Sequence, residues 1–331
     1  RTDLNCYFYT FGCKVNTCET AGMQSLLQSA GYTVVSQPEE ADIFLFNSCT
    51  VTASGDSRLR HAMRKVRREH PDALLVLTGC YPQAYPDEAA AIPEADLVLG
   101  TKHRSRLPGL LAELCQNHAR IAAVDSYGAQ DDFEALPCDT MPDNTRAFLK
   151  IQDGCNCFCS YCIIPYARGR CRSLPPEELR KAAAGFAENG YREIVLCGIN
   201  LGFYGMEWDG SLAEAVETCA AVPGVERVRL GSLEPERLTE EQLSRLAALP
   251  QFCPQFHLSL QSGCDRTLRI EYLQENGFTN LQIMEGSWVG DKTEESFEVC
   301  GYRMLSEQYG VPLIDAQKEK RMEWFANAKL G

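Results

Sequence analysis

At 331 residues the chain is long enough for two domains, and 45% hydrophobic against 23% charged residues is the ordinary balance of a globular protein. A net charge of −13 at pH 7 excludes a surface coated in positive potential for nucleic acid, so any RNA contact has to be local. No apolar run reaches the ~18 residues a membrane helix needs, and no basic segment leads into a signal-type apolar stretch, so a cytoplasmic protein with no membrane partner is expected. Seventeen cysteines, an odd number in a large unsignalled chain, point to metal binding or chemistry rather than to disulfides.

In chain order, Cys6–Thr10, Ile43–Asn47, Leu74–Thr78 and Leu97–Leu99 read as strands, being short, apolar and bounded by turn residues. Helical patterns at Glu19–Ala30 and Arg58–His70 fall between them, and such alternation implies a parallel sheet in an α/β layer. Residues 125–144 then become acidic and irregular and read as a linker. A second series follows. Strands are expected at Phe148–Gln152, Glu193–Cys197, Arg227–Leu230 and Phe256–Leu260, with helices at Pro176–Asn189, Leu212–Ala221 and Glu240–Leu249. Four β/α units in a row suit a partial or full β/α barrel.

The densest chemical signal is Cys155-Asn-Cys157-Phe-Cys159-Ser-Tyr-Cys162, directly after a predicted strand. Cys155, Cys159 and Cys162 have the spacing C-x3-C-x2-C. Protein-bound 4Fe–4S clusters usually take four thiolates, whereas three close thiolates leave one iron open to a small molecule. That open iron is what radical S-adenosylmethionine chemistry requires: the amine and carboxylate of the methionine moiety chelate it, and an electron from the cluster cleaves the sulfonium. The alternative is a zinc knot, although zinc wants a fourth ligand and none stands at knuckle spacing. Cys157 complicates the ligand assignment.

Cys13, Cys49 and Cys80 are too far apart for a local motif, yet each follows the carboxyl end of a predicted strand, in FYTFGC, FLFNSC and LVLTGC. In a parallel α/β sheet those ends share one edge, where ligands bind, so three thiolates from three loops are expected to meet on a second cluster. The alternative is that each is a buried structural cysteine.

Thr10-Phe-Gly-Cys-Lys-Val-Asn16, Asn47-Ser-Cys-Thr-Val-Thr52 and Thr78-Gly-Cys-Tyr81 resemble the N-terminal domain of the radical S-adenosylmethionine methylthiotransferases. Ile151-Gln-Asp-Gly-Cys155 through Cys162-Ile-Ile-Pro-Tyr-Ala-Arg-Gly169 resembles their radical core. CKVN, SCTVT, CIIPYARG and Ser232-Leu-Glu-Pro235 are most similar to the branch acting on threonylcarbamoyladenosine at position 37 of transfer RNA. The resemblance implies a Rossmann-like parallel-sheet domain over residues 1–124, a linker at 125–144 and a truncated radical core with a partial β/α barrel over 145–268. It further implies two 4Fe–4S clusters, with sulfur handled at Cys13, Cys49 and Cys80 and the radical generated at Cys155, Cys159 and Cys162. The expected partners are the tRNA anticodon loop, an electron donor such as flavodoxin or ferredoxin, and a sulfur donor that the sequence does not name. Related enzymes acting on isopentenyladenosine or on a ribosomal-protein aspartate are the alternatives, as is an inactive, truncated or chimeric iron–sulfur protein.

Several residues are placed to support cofactor binding. Tyr161 is expected to pack on the adenine of S-adenosylmethionine, or simply within its loop. Gly198 and Asn200 end the second strand of the series, Ser232 and Glu234 the third, and Gln261 and Ser262 the fourth, where active-site residues of such barrels sit. Arg60, Arg64, Lys65, Arg67 and Arg68 crowd one helix and suit either RNA phosphates or a solvated face. Arg168, Arg170 and Arg172 are candidates for contact with RNA or cofactor. After Leu268 no counterpart of the family's later barrel strands or C-terminal RNA-binding β-domain is found, so tRNA binding is expected to be weak. Residues 269–331 instead read as an αβα tail with strands at Leu281–Met284 and Val311–Ile314.

Overall fold

The computed structural model describes residues 4–258, apart from 51–52, 129, 142–143, 160–161 and 235–237. The expected αβα tail, Tyr161, Gln261, Ser262 and the end of the fourth strand of the second series lie outside the described residues. The described residues up to Asn156 and from Cys162 to Leu258 form one compact unit, and Cys157–Cys159 belong to a second.

The chain opens β1 (Asn5–Thr10), α1 (Lys14–Ser29), β2 (Thr33–Val34), β3 (Ile43–Ser48), α2 (Ala53–Glu69) and β4 (Leu74–Gly79). It continues through α3 (Cys80–Ala84), α4 (Pro86–Ala90), β5 (Leu97–Leu99), α5 (Leu107–Asn117) and β6 (Ile121–Ala123). These strands make one six-stranded sheet in the order β2-β1-β3-β4-β5-β6, and every neighbouring pair is parallel. The central strand β3, IFLFNS, is buried along its whole length, as a strand covered by helices on both faces must be. One apolar layer gathers Phe44, Phe46, Leu59, Met63 and Leu77 on one face of the sheet. Another gathers Met23, Leu27, Ile43, Leu45 and Leu111 on the other.

Next come β7 (Ala147–Lys150), β8 (Gln152–Asp153), α6 (Ile164–Arg168), β9 (Arg172–Ser173), α7 (Pro176–Glu188) and β10 (Glu193–Cys197). They are followed by α8 (Leu212–Ala220), β11 (Arg227–Leu230), β12 (Ser232–Leu233), α9 (Glu240–Ala247) and β13 (His257–Leu258). β11, β10 and β7 form a parallel sheet; β12 pairs in parallel with β13, and β8 pairs antiparallel with β9. β10, EIVLC, is buried throughout and is the middle strand of its sheet. The single strand expected over 148–152 is interrupted at Ile151, where the chain leaves the three-stranded sheet and enters the short hairpin with β9.

α1 belongs to both halves of this unit. Val15, Cys18 and Ala21 pack with Leu149, Ile194 and Leu196 of the second sheet, with Ile151 just after β7 and with Phe186 of α7, while Met23 and Leu27 pack on the first. Among its described residues the acidic stretch 125–144 has no helix or strand, but it is tied down. The Glu134 carboxylate accepts the backbone N–H groups of Arg104 and Ser105 at 3.0 Å each, and the Tyr127 hydroxyl lies 2.9 Å from that of Thr101.

Candidate functional site

The parallel register fixes where the first three cysteines go. Thr10 is opposite Asn47, Asn47 is opposite Thr78, and Ser48 is opposite Gly79, so β1, β3 and β4 end level with one another. Cys13 then precedes the first turn of α1, Cys49 follows β3, and Cys80 begins α3. A buried polar network holds these ends together. Asn16 Nδ2 donates to the Ser48 carbonyl at 2.9 Å, and Asn47 Nδ2 donates to the Asn16 carbonyl at 2.9 Å and to Thr20 Oγ1 at 3.1 Å. Ser48 Oγ donates to the Thr78 carbonyl at 2.6 Å and accepts the Tyr81 N–H at 3.3 Å. The sequence motif contains these side chains, but their polar character hid their structural role.

Gly12 has φ +106°, and a Cβ there would lie 2.6 Å from Cys49 Cβ and 3.0 Å from its sulfur. That clearance lets the Cys13 and Cys49 loops approach each other. Cys13 is exposed, Cys49 half-buried and Cys80 buried. The Cys80 thiol is pushed up to about 11, first by burial; Arg168 pulls against that rise, and Glu19 and Cys49 add to it. Surrounding protein also raises the Cys13 thiol, again against the charge of Arg168. Cys6 and Cys219, by contrast, are pushed to about 12 chiefly by burial and fill core positions.

Beside Cys80 lies a group of charges buried between the two sheets. Glu19, on α1, is paired with Arg104 at 2.5 Å, with Lys150 at 3.0 Å and with Arg168, and its side chain is 1% exposed. Asp153 is paired with Lys150 at 3.0 Å, Arg168 at 3.5 Å and Arg172 at 3.7 Å. Four cations therefore meet two carboxylates, and among the described residues Arg104 Nε and Nη2 have no hydrogen-bond partner. An anionic group bound beside it would offset this excess positive charge. Burial alone would raise the Glu19 carboxyl, but Arg104, Arg168 and Lys150 hold it well below the usual range. Arg168 is fully buried, which corrects the expectation that it contacts RNA: no phosphate reaches a guanidinium enclosed by protein. Arg170 is exposed.

The second set of cysteines is described in two parts. Gly154 turns into the loop at φ +74°, where a Cβ would lie 2.0 Å from the Arg170 carbonyl oxygen. Asp153 Oδ1 accepts the Gly154 N–H at 2.9 Å, Gln152 Nε2 donates to the Gly154 carbonyl at 2.8 Å, and Cys155 N–H donates to the Gly169 carbonyl at 3.1 Å. Cys155 and Cys162 are half-buried, and the Cys162 thiol is raised by burial first, with Cys155 and Glu234 adding to the rise. Cys171 was not singled out in the sequence. It stands near Cys155, its thiol is pushed to about 12 chiefly by burial, and its only sign was a cysteine within the Arg-Gly-Arg-Cys-Arg run. In the other unit, Cys157 and Cys159 are half-buried, and Phe158 between them has φ +48°.

Gln152 Oε1 accepts the Asn200 N–H at 2.8 Å, and a Cβ at Gly198 would lie 2.9 Å from that same oxygen. Gly198 thus gives Gln152 its place. Asn200 is 4% exposed, and its Oδ1 has no hydrogen-bond partner among the described residues, which makes it a buried acceptor suited to a ligand. Ser232 is exposed, with its hydroxyl 3.0 Å from His257 Nδ1. Glu234 lies close enough to Cys162 to act on its thiol. The cations of α2 are paired with carboxylates: Arg60 with Glu88, Arg64 with Glu94, Arg67 with Asp96 and Lys65 and Arg68 with Glu69. This arrangement favours the solvated-face reading of that helix.

Among the described residues, no three His, Cys, Asp or Glu side chains surround a single metal-ion position. A cubane makes a different demand, because each thiolate meets its own iron. Three cysteines on level strand ends, a glycine clearing space between two of them and excess buried positive charge beside the third fit a sulfur-ligated anionic group. Among the described residues, no helix is long and apolar enough to cross a membrane.

Residues 5–100 match the family model described as Uncharacterized protein family UPF0004, and residues 149–280 match that of the Radical SAM superfamily. The threonylcarbamoyladenosine tRNA methylthiotransferase MtaB of Bacillus subtilis (strain 168) is 39% identical over 264 residues, which cover 79% of this chain and 58% of the relative. The enzyme of the same name from Aquifex aeolicus is 35% identical over 278 residues, covering 84% of this chain and 67% of the relative. The tRNA-2-methylthio-N(6)-dimethylallyladenosine synthase of Ehrlichia canis is 31% identical over 273 residues, covering 80% of this chain and 61% of that enzyme. The solved radical S-adenosylmethionine methyltransferase TsrM from Kitasatospora setae shares the fold at a TM-score of 0.57 and 12% identity, over 80% of this chain and 60% of that one. The chain thus spans from 58% to 67% of the length of these three curated relatives.

Proposed function

We propose, from the premise that this chain belongs to the radical S-adenosylmethionine methylthiotransferase family, that it provides the catalytic part of an enzyme adding a methylthio group to C2 of N6-threonylcarbamoyladenosine at position 37 of tRNA. Membership brings 4Fe–4S iron and S-adenosylmethionine as cofactors, and two clusters are typical of methylthiotransferases. In this reading Cys13, Cys49 and Cys80 hold one cluster and Cys155, Cys159 and Cys162 the other. The observation that carries it is the level ending of β1, β3 and β4, which brings three cysteines to one sheet edge, in a chain 39% identical to an enzyme of that name.

The cluster of the radical core, when bound, supplies the electron for reductive cleavage of S-adenosylmethionine. The chain's own residues orient and exclude. Gln152 and Asp153 fix the turn into the cysteine loop, and Asn200 Oδ1 offers the cofactor a buried hydrogen-bond acceptor. Tyr161, Ser232, Glu234 and Gln261 remain candidates for cofactor or substrate contact. A flavodoxin- or ferredoxin-type protein is the proposed electron source, and the anticodon loop of tRNA the proposed substrate.

Two measurements test this reading. Anaerobic reconstitution should give about eight irons per chain, four at each site. Replacing Cys155, Cys159 and Cys162 with alanine should remove half the iron and all reductive cleavage of S-adenosylmethionine. Replacing Cys13, Cys49 and Cys80 should remove the other half and spare cleavage. Full iron in both variants overturns the ligand assignment. Mass spectrometry of tRNA from cells lacking their own enzyme and expressing the chain should show the methylthio nucleoside; an isopentenyl derivative instead would move the chain to the dimethylallyladenosine branch.

A further inference from the structure

Arg168 follows the radical-core cysteines in sequence, yet its guanidinium sits at the N-terminal cysteines. Glu19 grips it from two sides, through Nη1 and through Nη2 at 3.0 Å. Nη2 also reaches Asn16 Oδ1 at 3.3 Å, and Nη1 reaches Asp153 at 3.5 Å. With the planar fork fixed in this way, Nε points at the sulfur of Cys80, 3.2 Å distant. Lysine offers a compact ammonium in place of a planar fork and cannot reproduce these contacts together. The side chain is 0% exposed, so water does not screen its charge from the sulfur.

We propose that Arg168 is a positioning residue of the N-terminal cluster, donating a hydrogen bond to the Cys80 thiolate and favouring the cluster's reduced state. This rests on the reading that Cys13, Cys49 and Cys80 ligate that cluster. The redox step is simple: one electron from an external reductant enters the cluster, no bond breaks, and the cluster gains one negative charge. A buried cation at hydrogen-bond distance stabilises the more negative, reduced cluster more than the oxidised one, so it moves the potential in the positive direction. The excess of cations around Glu19 and Asp153 acts in the same sense. The arrangement also ties the two chemical sites together: Asp153 pairs with Arg168 and also orients Gly154, the residue before Cys155.

The experiment uses the full chain with Cys155, Cys159 and Cys162 replaced by alanine, reconstituted anaerobically so that only N-terminal iron is present. A redox titration followed by electron paramagnetic resonance gives the potential. Arg168→Gln should shift it to more negative values with iron content unchanged, and Arg168→Lys should restore part of the shift. An unchanged potential in a fully loaded Arg168→Gln protein overturns the proposal. Should the variants fail to fold or to load iron, the same chain with Arg168 intact, grown on 15N-arginine and reduced, gives the answer directly. Hyperfine spectroscopy should detect an arginine nitrogen with the weak coupling of a hydrogen-bond donor to a cluster thiolate, and its absence overturns the proposal. If the parent chain binds no iron at all, the ligand reading has failed instead, a result distinct from either of these.

Discussion

Gly12 combines a backbone demand with a spatial one. Its φ of +106° is strained for any residue with a Cβ, and an added methyl carbon would stand 2.6 Å from Cys49 Cβ. Gly190 has φ +91° but no described residue within 4 Å of where a Cβ would be, so it carries the backbone demand alone. Alanine at either position should cost roughly 1–3 kcal/mol of stability, read as a shifted urea midpoint. The two should differ in iron. Gly12→Ala pushes Cys49 away from Cys13 and should lose the N-terminal half of the iron after reconstitution. Gly190→Ala should retain it all. Equal iron content in both would mean that the close approach at Gly12 does not shape the cluster site.

At the scale of elements, the site depends on α1 being locked against the end of the first sheet. Asn47 Nδ2 holds the helix through the Asn16 carbonyl and Thr20 Oγ1, and Asn16 Nδ2 returns the contact to Ser48. Asn47→Ala would leave buried groups without partners, at a cost of about 1–3 kcal/mol. Hydrogen exchange should then quicken in the first turn of α1, beside Cys13, while β10 keeps its protection. Equal quickening in both would show a global loss instead. β3 and β10 were legible in the sequence because each is a continuous apolar run, and the three cysteine loops were legible because each follows such a run. β2 and β6 were not, since Thr-Val and Ile-Ala-Ala become strands only through backbone pairing with neighbours far along the chain. α1 begins at Lys14, five residues before the sequence pattern starts, because Asn16, Glu19 and Thr20 are buried. The sequence pattern carries no sign of that burial, because one partner of Glu19 lies 149 residues away in Arg168.

Over the whole unit, α1 joins the two sheets by two means at once: Val15, Cys18 and Ala21 pack in the second apolar core, and Glu19 pairs with Arg104, Lys150 and Arg168. Acid tests the ionic part. Burial would raise both Glu19 and Asp153, but the surrounding cations hold Glu19 well below the usual carboxylate range and Asp153 below it as well. A carboxylate depressed in the folded state binds fewer protons there than in the unfolded chain. Its contribution is therefore fully present above the unfolded value of about 4 and is lost as pH falls through the folded one. Across that window each such group removes about 1.4 kcal/mol per pH unit. The iron-free protein should accordingly hold a constant urea midpoint from pH 7 to pH 5, for the part set by these two groups, and lose stability steeply below pH 4. Glu19→Gln removes one titrating site, so that variant should start less stable at pH 7 and show a shallower acid slope. Exchange measured separately in β3 and β10 should report the same acid transition, because the pairing of Glu19 with Lys150 spans both sheets. An unchanged acid slope in Glu19→Gln would place the acid-sensitive groups elsewhere in the chain.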